Sequence, residues 1–336
     1  MADRRIFLKS LAALTAGLTV PAGVSAGEKK SDQDRLGKIL PKRKLGRTNE
    51  WVTMLGVGGF HIGWTTEHDA REVIDAALEG GVRFFDTAES YDAGRSEERY
   101  GKYLTPQYRD LVFLTSKSTG KDAKTVREHL EGTLRRMKTD HLDLYQVHAL
   151  GTPDDVDGRI REGVLEVMQK ARDEGKTRYI GFTGHQNPHA HARMLEQTKA
   201  NDIFDVVLMP VNVLDQSYFS FIQHVMPVAL ERNMGITSIK SLADGRFFGS
   251  KAQANWTTDD PVIPNYLSIK EAMYFVWSLP VSVLISGNEN ATMMREKIEL
   301  ARNFKALSEA QRTALVEKVK NIAMKGNVEY FKQKQA

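Results

Sequence analysis

The feature that most constrains the fold is an alternation of short apolar segments with longer segments of helical periodicity, which begins near residue 40. Eight segments have the length and composition of buried strands: Val52–Val57, Val82–Phe85, Leu111–Thr115, Leu142–Val147, Thr177–Phe182, Val206–Leu208, Ile236–Ile239 and Val281–Ile285. Helical spacing lies between them, for example in His68–Leu78, Lys124–Met137, Gly163–Arg172 and Phe219–Arg232. Eight strands, each followed by a helix, predict a single-domain α/β fold, a (β/α)8 TIM barrel. A doubly wound open sheet is the alternative.

Composition excludes several classes of protein. The 336 residues are 41% hydrophobic and 27% charged, which is typical of a soluble globular domain. The absence of cysteine rules out disulfides, thiolate nucleophiles and cysteine-ligated metal centres. Part of the net charge of +4 lies in a short N-terminal stretch, so the sequence predicts no nucleic-acid partner. We assign residues 41–336 to one barrel domain.

The N-terminus has the three parts of a bacterial export signal. Arg4-Arg5 comes first, an apolar run follows from Leu11 to Val20, and Val24-Ser25-Ala26 offers small residues for cleavage. The arginine pair resembles a twin-arginine signal, which predicts a signal peptide over residues 1–26, the twin-arginine export machinery as a partner and a periplasmic or otherwise exported protein. Residues 27–40 are polar and predict a disordered connector. A retained N-terminal helix or anchor and a cytoplasmic location are the alternatives, although the apolar run is short for a membrane span.

Ionisable residues follow three consecutive predicted strands. Asp86 comes directly after the second strand, with Tyr91 in the same loop, while the third strand ends at Lys117 and the fourth at His148. Active sites of βα-barrels are built where strands end and βα-loops begin. Each of these residue types alone is more often structural than catalytic, but four at the same end of a barrel predict one catalytic site.

The charges of these four residues suggest their chemistry. A phenol with a reference pKa near 10 is a poor acid at neutral pH, and a neighbouring lysine cation makes its phenolate easier to form. Tyr91 beside Lys117 would therefore be a usable proton donor, Asp86 would keep the lysine charged, and His148 would orient a substrate oxygen. This set is suited to protonating a carbonyl oxygen. Hydride must come from a cofactor, because no side chain supplies one.

Several motifs resemble those of the aldo-keto reductases. The segment from Asp86 to Tyr91 matches that family's Asp-Thr-Ala-x-x-Tyr signature, and Ser96-Glu97 with Gly101 continue it. Leu114–Lys117 and Asp143–His148 match its lysine and histidine segments, and the similarity extends from about Arg43 to Asn303. The resemblance implies a TIM barrel, reversible NADPH-linked reduction of aldehydes and ketones, and the four roles given above.

The resemblance also implies cofactor contacts. They are Thr183 after strand five, Lys240 where an aromatic commonly stacks on the nicotinamide, Ser286, Gly287 and Asn288 in the dinucleotide segment, and Glu296 and Lys297 on the adenine side. Phe182-Thr183-Gly184-His185 is similar to the signature of a divergent branch. The arginine that often binds the 2′-phosphate of NADP aligns with Met293 in this sequence. Arg295 or Lys297 could take over the role of that arginine, so NADP is favoured over NAD only slightly. Lys240 would meet a phosphate, a substrate carboxylate or Asp244.

Other features receive weaker interpretations. Trp64 follows the first strand and is either a wall of the substrate pocket or a surface aromatic. His185, His189 and His191 have the spacing of metal ligands, but Asn187-Pro188 indicates a helix start between them, so no metal is predicted. The stretch Ser241–Pro264 is polar and irregular, and we expect a long loop that could cover the site.

Two alternatives to an ordinary carbonyl reductase remain open. An exported enzyme could keep its cofactor permanently bound and use it for internal redox or epimerisation of a sugar-like substrate, because free nicotinamide nucleotides are not expected outside the cytoplasm. A non-catalytic nicotinamide-binding subunit is the other alternative.

Overall fold

In the computed structural model, residues 32–248, 252–253, 256–257, 265–324 and 326–332 are described. The parallel barrel strands are β1 (Leu55–Gly58), β2 (Phe84–Asp86), β3 (Phe113–Ser118), β4 (Leu142–Val147), β5 (Thr177–Thr183), β6 (Val206–Pro210), β7 (Gly235–Ile239) and β8 (Val283–Ser286). Each strand pairs with its neighbours in sequence and β8 pairs with β1, so the sheet closes. The predicted (β/α)8 barrel is confirmed.

Helices surround the barrel and connect its strands. They are α1 (Gly59–Trp64), α2 (Glu67–Glu79), α3 (Arg95–Tyr103), α4 (Thr105–Tyr108), α5 (Ala123–Arg136), α6 (Pro153–Arg161), α7 (Val164–Asp173), α8 (Pro188–Gln197), α9 (Phe221–His224), α10 (Met226–Glu231), α11 (Ile269–Trp277), α12 (Ala291–Arg302) and α13 (Glu309–Ala323). The helix predicted over Phe219–Arg232 is two helices that meet at Val225, because Pro227 has no amide hydrogen and can be accommodated only in the first turn of the second one. In the described part of the chain, no helix is long and apolar enough to cross a membrane.

The first predicted strand, Val52–Val57, is also divided. Its first half, Trp51–Thr53, pairs antiparallel with Lys42–Lys44 in a hairpin, and only Leu55–Gly58 enters the barrel. An apolar run alone does not distinguish a barrel strand from an adjoining hairpin strand, so the division was not visible in the sequence.

Residues 32–40 are ordered, contrary to the predicted disordered connector. Gln33–Asp34 and Gly37–Lys38 form a small hairpin, and Asp34 accepts two hydrogen bonds from the largely buried Arg83, at 2.6 and 2.9 Å. This bidentate ion pair fixes the hairpin to the start of β2. The predicted signal peptide and residues 27–31 lie outside the described residues.

Apolar side chains fill the barrel at the end where the strands begin. Phe84 stacks on Phe113 with ring centroids 5.2 Å apart, and Phe113 stacks on Tyr179 at 6.4 Å. A second, larger apolar cluster lies between the sheet and the helices. The interior is therefore packed where the strands begin, and βα-barrel enzymes build their sites at the opposite end, where the strands finish.

A substitution at Gly101 tests how closely α3 packs against the end of α5. A methyl group added at Gly101 would lie 1.9 Å from the carbonyl oxygen of Arg136, which is backbone and cannot move away cheaply. We expect Gly101→Ala to lower the free energy of unfolding by about 1–3 kcal/mol, measured by urea denaturation. Gly158→Ala in α6 is the matched control, since beyond the backbone of its own helix the nearest heavy atom is 3.8 Å from the added methyl group, and the change should raise stability by about 0.4–1 kcal/mol. Equal effects of the two substitutions would contradict this packing.

Candidate active site

The ends of β2, β3 and β4 bring the four predicted catalytic residues to one cleft of about 560 Å³. Asp86 is the last residue of β2, Lys117 lies near the end of β3 and His148 follows β4. Tyr91 reaches the same cleft from the loop after β2. The rest of the lining includes Phe60, His61, Thr119, Thr183, His185, Gln186, Leu208, Ile239, Lys240, Asp244, Ile285, Gly287, Tyr330 and Phe331.

Lys117 lies at the centre of the set. Its Nζ is 2.7 Å from Asp86 Oδ2, donates to the Thr87 carbonyl at 2.6 Å, and is 3.4 Å from the Tyr91 hydroxyl. Burial alone would lower the pKa of this lysine, but the Asp86 carboxylate and Tyr91 more than offset that effect, so its pKa is raised. The other carboxylate oxygen of Asp86 accepts from Thr115 Oγ1 at 2.6 Å. The ammonium is therefore charged and fixed in direction.

Tyr91 is the residue that this cation acts upon. Burial raises the pKa of the phenol, and the charge of Lys117 opposes that rise, so Tyr91 carries its proton at neutral pH. Its ring makes edge contacts with Phe60 and His148, each with centroids 5.7 Å apart. These contacts hold the hydroxyl in one orientation beside Lys117, as a proton donor requires.

His148 is neutral in this site. Burial, followed by the charge of Lys117, holds its pKa well below 6.5. Its Nδ1 is buried and has no hydrogen-bond partner among the described residues. A neutral imidazole offers one N–H donor and one acceptor, which suits it to orienting a substrate oxygen rather than to giving up a proton.

Glu89 supports the loop that carries Tyr91, and sequence reasoning missed it. Its Oε1 accepts from the backbone N–H of Thr119 at 2.9 Å and lies 3.3 Å from His129 Nδ1. The contact ties the loop after β2 to the loop after β3. In the sequence Glu89 occupies a variable position of the motif, so nothing there indicated its role.

The C-terminal segment forms one wall of the cleft, which the sequence did not indicate. Lys332 Nζ lies 2.7 Å from Asp215 Oδ1 and 2.9 Å from Glu329 Oε2 in a fully buried cluster. This anchor places Phe331 against His185, with ring centroids 6.2 Å apart. The segment lies beyond residue 303, where the family resemblance ends, so no motif pointed to it.

Lys240 forms an ion pair with Asp244, one of the alternatives left open by the sequence. The two side chains are 2.7 Å apart, and Tyr330 donates to the other carboxylate oxygen at 2.5 Å. Lys240 Nζ also lies 5.4 Å from the centre of the Phe331 ring. Directly after β7, the chain therefore places a lysine that is paired with a carboxylate and faces an aromatic ring of the C-terminal segment. Of the predicted covering loop Ser241–Pro264, the described part includes Asp244 in this wall, and residues 249–251, 254–255 and 258–264 lie outside the described residues.

A smaller cavity of about 110 Å³, which we call the side pocket, opens beside the cleft between β7, β8 and α12. It is lined by His61, Lys240, Ser241, Leu242, Asp244, Gly245, Ile285, Ser286, Gly287, Glu289, Met293 and Lys297. Lys297 donates to the Gly287 carbonyl at 2.7 Å and to Asn288 Oδ1 at 2.8 Å, and Asn288 Nδ2 donates to the Ser286 carbonyl at 3.0 Å. Most of the predicted dinucleotide segment therefore meets at one pocket.

Other candidates lie elsewhere. Trp64 is 38% exposed, and it is not among the described residues that line the cleft. Of its two interpretations, the surface aromatic therefore fits the structure. Glu296 is exposed on α12 and lies outside both linings. His191 is buried and bonds the Leu208 carbonyl, and Asn187 caps α8 as its sequence indicated. Across the described ranges, no group of three potential ligands could hold a metal ion.

A closed parallel barrel with ionisable residues gathered where its strands end has the architecture of a βα-barrel enzyme. Comparison with known proteins agrees, because the model of the aldo/keto reductase family matches residues 54–314. The chain belongs to the aldo/keto reductase family and is an oxidoreductase.

Two relatives that match most of the chain are a quarter or less identical to it. The chain is 24% identical to the uncharacterized oxidoreductase YqkF of Bacillus subtilis over 82% of this chain and 95% of that protein. It is 25% identical to L-galactose dehydrogenase of Arabidopsis thaliana, covering 83% and 95%. The holo structure of aldo-keto reductase AKR11C1 from Bacillus halodurans superimposes with a TM-score of 0.68 at 22% identity, covering 83% and 96%. At this identity the structural likeness establishes the fold alone.

Proposed function

We propose that this enzyme uses NADPH or NADH to reduce aldehyde or ketone carbonyls, or the oxidised nucleotide to oxidise the matching alcohols. The observation that carries the proposal is the buried contact of Lys117 Nζ with both Asp86, at 2.7 Å, and the Tyr91 hydroxyl, at 3.4 Å. A charged lysine held against a protonated phenol in a cleft is an arrangement for moving one proton to a substrate oxygen.

The residues present fit a nicotinamide dinucleotide. The cleft and the side pocket share five lining residues, so one extended molecule can pass from one to the other: His61, Lys240, Asp244, Ile285 and Gly287. The side pocket lies at the N-terminal end of α12, where backbone N–H groups favour phosphate. Thr183 at the end of β5 would contact the nicotinamide side, and Ser286, Gly287 and Asn288 the dinucleotide. NADP is favoured slightly over NAD.

A nicotinamide nucleotide bound in the cleft would supply the hydride for the carbonyl carbon. His148 holds the carbonyl oxygen beside the Tyr91 hydroxyl, and Tyr91 gives its proton to that oxygen as negative charge develops there. The Lys117 ammonium stabilises the resulting phenolate, and Asp86 keeps the ammonium in place. Solvent then returns a proton to Tyr91. The carbonyl gains one hydride and one proton, which balances its reduction to an alcohol.

Steady-state kinetics test this proposal. The purified enzyme is mixed with NADPH or NADH and a panel of aliphatic, aromatic and sugar aldehydes and ketones, and nucleotide oxidation is followed by absorbance. We expect turnover with at least one class of carbonyl and the reverse reaction with its alcohol. Tight nucleotide binding without turnover on any carbonyl or alcohol would instead identify a non-catalytic nicotinamide-binding subunit.

We further propose that the protein is exported. The Arg4-Arg5 pair, the apolar run and the small residues before Ala26 support a twin-arginine signal, and the Phe182–His185 signature supports a divergent branch of the family. Because that route moves folded proteins, an exported enzyme would carry its cofactor with it, which favours a permanently bound cofactor and internal redox or epimerisation of a sugar-like substrate as the second candidate.

Native mass spectrometry of protein from the periplasmic fraction separates these cases. Cleavage after Ala26 and one tightly bound nucleotide per chain would support export with a retained cofactor. A nucleotide-free protein that reduces carbonyls only with added NADPH would support an exchangeable cofactor. A full-length chain confined to the cytoplasm would overturn the export proposal.

A further inference from the structure

The C-terminal segment, residues 326–332, carries part of a buried cluster of two carboxyl groups and one lysine. The cluster consists of Asp215, Glu329 and Lys332. Lys332 Nζ donates to Asp215 Oδ1 at 2.7 Å and to Glu329 Oε2 at 2.9 Å. Its third hydrogen bond goes to the Tyr218 carbonyl, also at 2.9 Å. The three charged side chains are at most 1% exposed, so two carboxyl groups share one ammonium group away from water.

The two carboxyl groups differ in their other partners. Asp215 also accepts hydrogen bonds from the Ser220 hydroxyl, at 2.7 Å, and from two backbone N–H groups of α9, at 2.9 and 3.1 Å. Glu329 has one further described donor, Asn212 Nδ2 at 2.8 Å. Burial raises the pKa of Glu329 to about 7, although Lys332 and Asn212 oppose that rise. Glu329 is therefore the carboxyl group that gains or loses a proton near neutral pH.

The titratable groups around Glu329 come from several elements. Within the cluster, the lysine lowers the pKa of Glu329 and Asp215, on the loop after β6, raises it. His224 at the end of α9 interacts with Asp215, and burial lowers its pKa, so it adds no positive charge at pH 7. Lys240 and Asp244, on the loop after β7, face the neighbouring aromatic residues of the segment. The charge of the cluster near pH 7 is thus set by Glu329.

The cluster flanks the two residues by which the segment lines the cleft. Tyr330 and Phe331 lie between Glu329 and Lys332 in the sequence, and both belong to the cleft lining. On the cleft side, Tyr330 donates to Asp244 at 2.5 Å. On the other side, the flanking residues are held by the loop after β6. The position of this wall of the cleft therefore depends on whether the cluster stays closed.

A proton on Glu329 favours the closed segment. In an open segment Glu329 would lie in water with a pKa near its ordinary value of 4.5, whereas in the closed segment its pKa is about 7. The closed segment binds the proton more tightly, so its stability is greatest below pH 4.5 and falls as the pH rises to 7. Above that pH the closed cluster keeps a surplus negative charge away from water, which is unfavourable. Closure is therefore weakest there.

We infer that the cluster positions the cleft wall formed by Tyr330 and Phe331, and that proton uptake by Glu329 holds this wall closed over ligands bound in the cleft. The inference rests on the proposed function and adds a pH-dependent control of ligand release from that site. Release requires the wall to open, so it is slower under slightly acidic conditions and faster under neutral or alkaline conditions.

Hydrogen exchange measures the opening of the segment without any ligand. The Lys332 N–H donates to the Glu329 carbonyl at 2.9 Å, so exchange in a peptide that covers residues 326–332 reports on opening. Exchange is followed by mass spectrometry and corrected for the intrinsic pH dependence of amide exchange. Between about pH 5 and pH 8, we expect the opening equilibrium to rise roughly tenfold per pH unit up to pH 7 and to stay constant above it. A flat profile overturns the inference.

Glu329→Gln removes the titrating charge, because glutamine resembles the protonated acid in shape and charge. Opening in this variant should be independent of pH and as rare as in the unsubstituted enzyme at the acidic end of the range. Glu317→Gln is the matched control, since it makes the same change at an exposed residue of α13 that pairs with Lys320, and it should keep the unsubstituted profile. Thermal unfolding checks that both variants fold. The same pH dependence in all three proteins overturns the role of Glu329.

Nucleotide release connects the segment with the active site. The enzyme is loaded with NADPH, or with NADH if this binds more tightly, and mixed with an excess of the oxidised nucleotide while the fluorescence of the bound form is followed. We expect release to be roughly three- to tenfold faster at about pH 8 than at about pH 6, and equally fast at both in Glu329→Gln. Equal rates in the unsubstituted enzyme overturn the control of release. If no nucleotide binds, the proposed function fails, and the exchange profile still decides the role of Glu329.

Discussion

Tyr91→Phe is expected to reduce kcat by roughly a hundredfold to ten-thousandfold and to leave the dissociation constant for NADPH almost unchanged. The substitution removes only the hydroxyl that lies 3.4 Å from Lys117 Nζ, and general acid catalysis contributes about that much to enzymatic rates. The phenylalanine ring keeps the edge contacts with Phe60 and His148. Stopped-flow measurement of hydride transfer, with a separate binding titration, checks both parts.

Tyr103→Phe is the matched control. It removes a hydroxyl that contacts Glu67 on the helical shell, away from the cleft lining, and kcat should stay within about twofold of the unsubstituted enzyme. If Tyr91→Phe has the same kcat as the unsubstituted enzyme, Tyr91 is not the proton donor. An equal fall in nucleotide affinity and in kcat would show that Tyr91 acts in binding instead.

Lys117→Met is expected to destabilise the protein by roughly 3–5 kcal/mol and to abolish measurable turnover. Asp86 is 2% exposed, and the substitution leaves its carboxylate buried with Thr115 as its described side-chain partner. Breaking a buried ion pair by removing one partner has a cost of that order, because the other charge is left uncompensated. Chemical denaturation at pH 7 measures the change in the free energy of unfolding.

The double variant Asp86→Asn with Lys117→Met separates stability from catalysis. Asparagine has a similar shape and no charge, so most of the lost stability should return, while turnover should stay absent because Tyr91 has no adjacent cation. If Lys117→Met alone is as stable as the unsubstituted enzyme, the buried ion pair between Lys117 and Asp86 does not contribute to stability as expected. Recovery of turnover in the double variant would contradict the role of Lys117.

Much of the fold could be predicted because its signals are local. Leu142–Val147 was predicted with its observed bounds, and the other barrel strands overlap their predicted segments, since apolar runs between amphipathic helices are read within a few residues. Barrel sites form where the strands end, and this rule alone predicted that Asp86, Lys117 and His148 lie close together.

The features that could not be predicted depend on contacts between distant segments. Lys332 and Asp215 are 117 residues apart, and no spacing pattern joins them. Arg83 and Asp34, which fix the N-terminal hairpin, are 49 residues apart. Lys297 was predicted to be a cofactor contact, but its hydrogen bonds to the Gly287 carbonyl and to Asn288 Oδ1 are visible only in the structure.

Transfer of a labelled hydride tests the central claim most directly. The enzyme is supplied with NADPH that carries deuterium at both positions of the reactive nicotinamide carbon and with the best carbonyl substrate from the panel, and the alcohol is analysed by mass spectrometry. We expect one deuterium on the carbinol carbon, and Tyr91→Phe should form this labelled alcohol far more slowly. An alcohol without deuterium, or no alcohol from any carbonyl although NADPH binds, would contradict it.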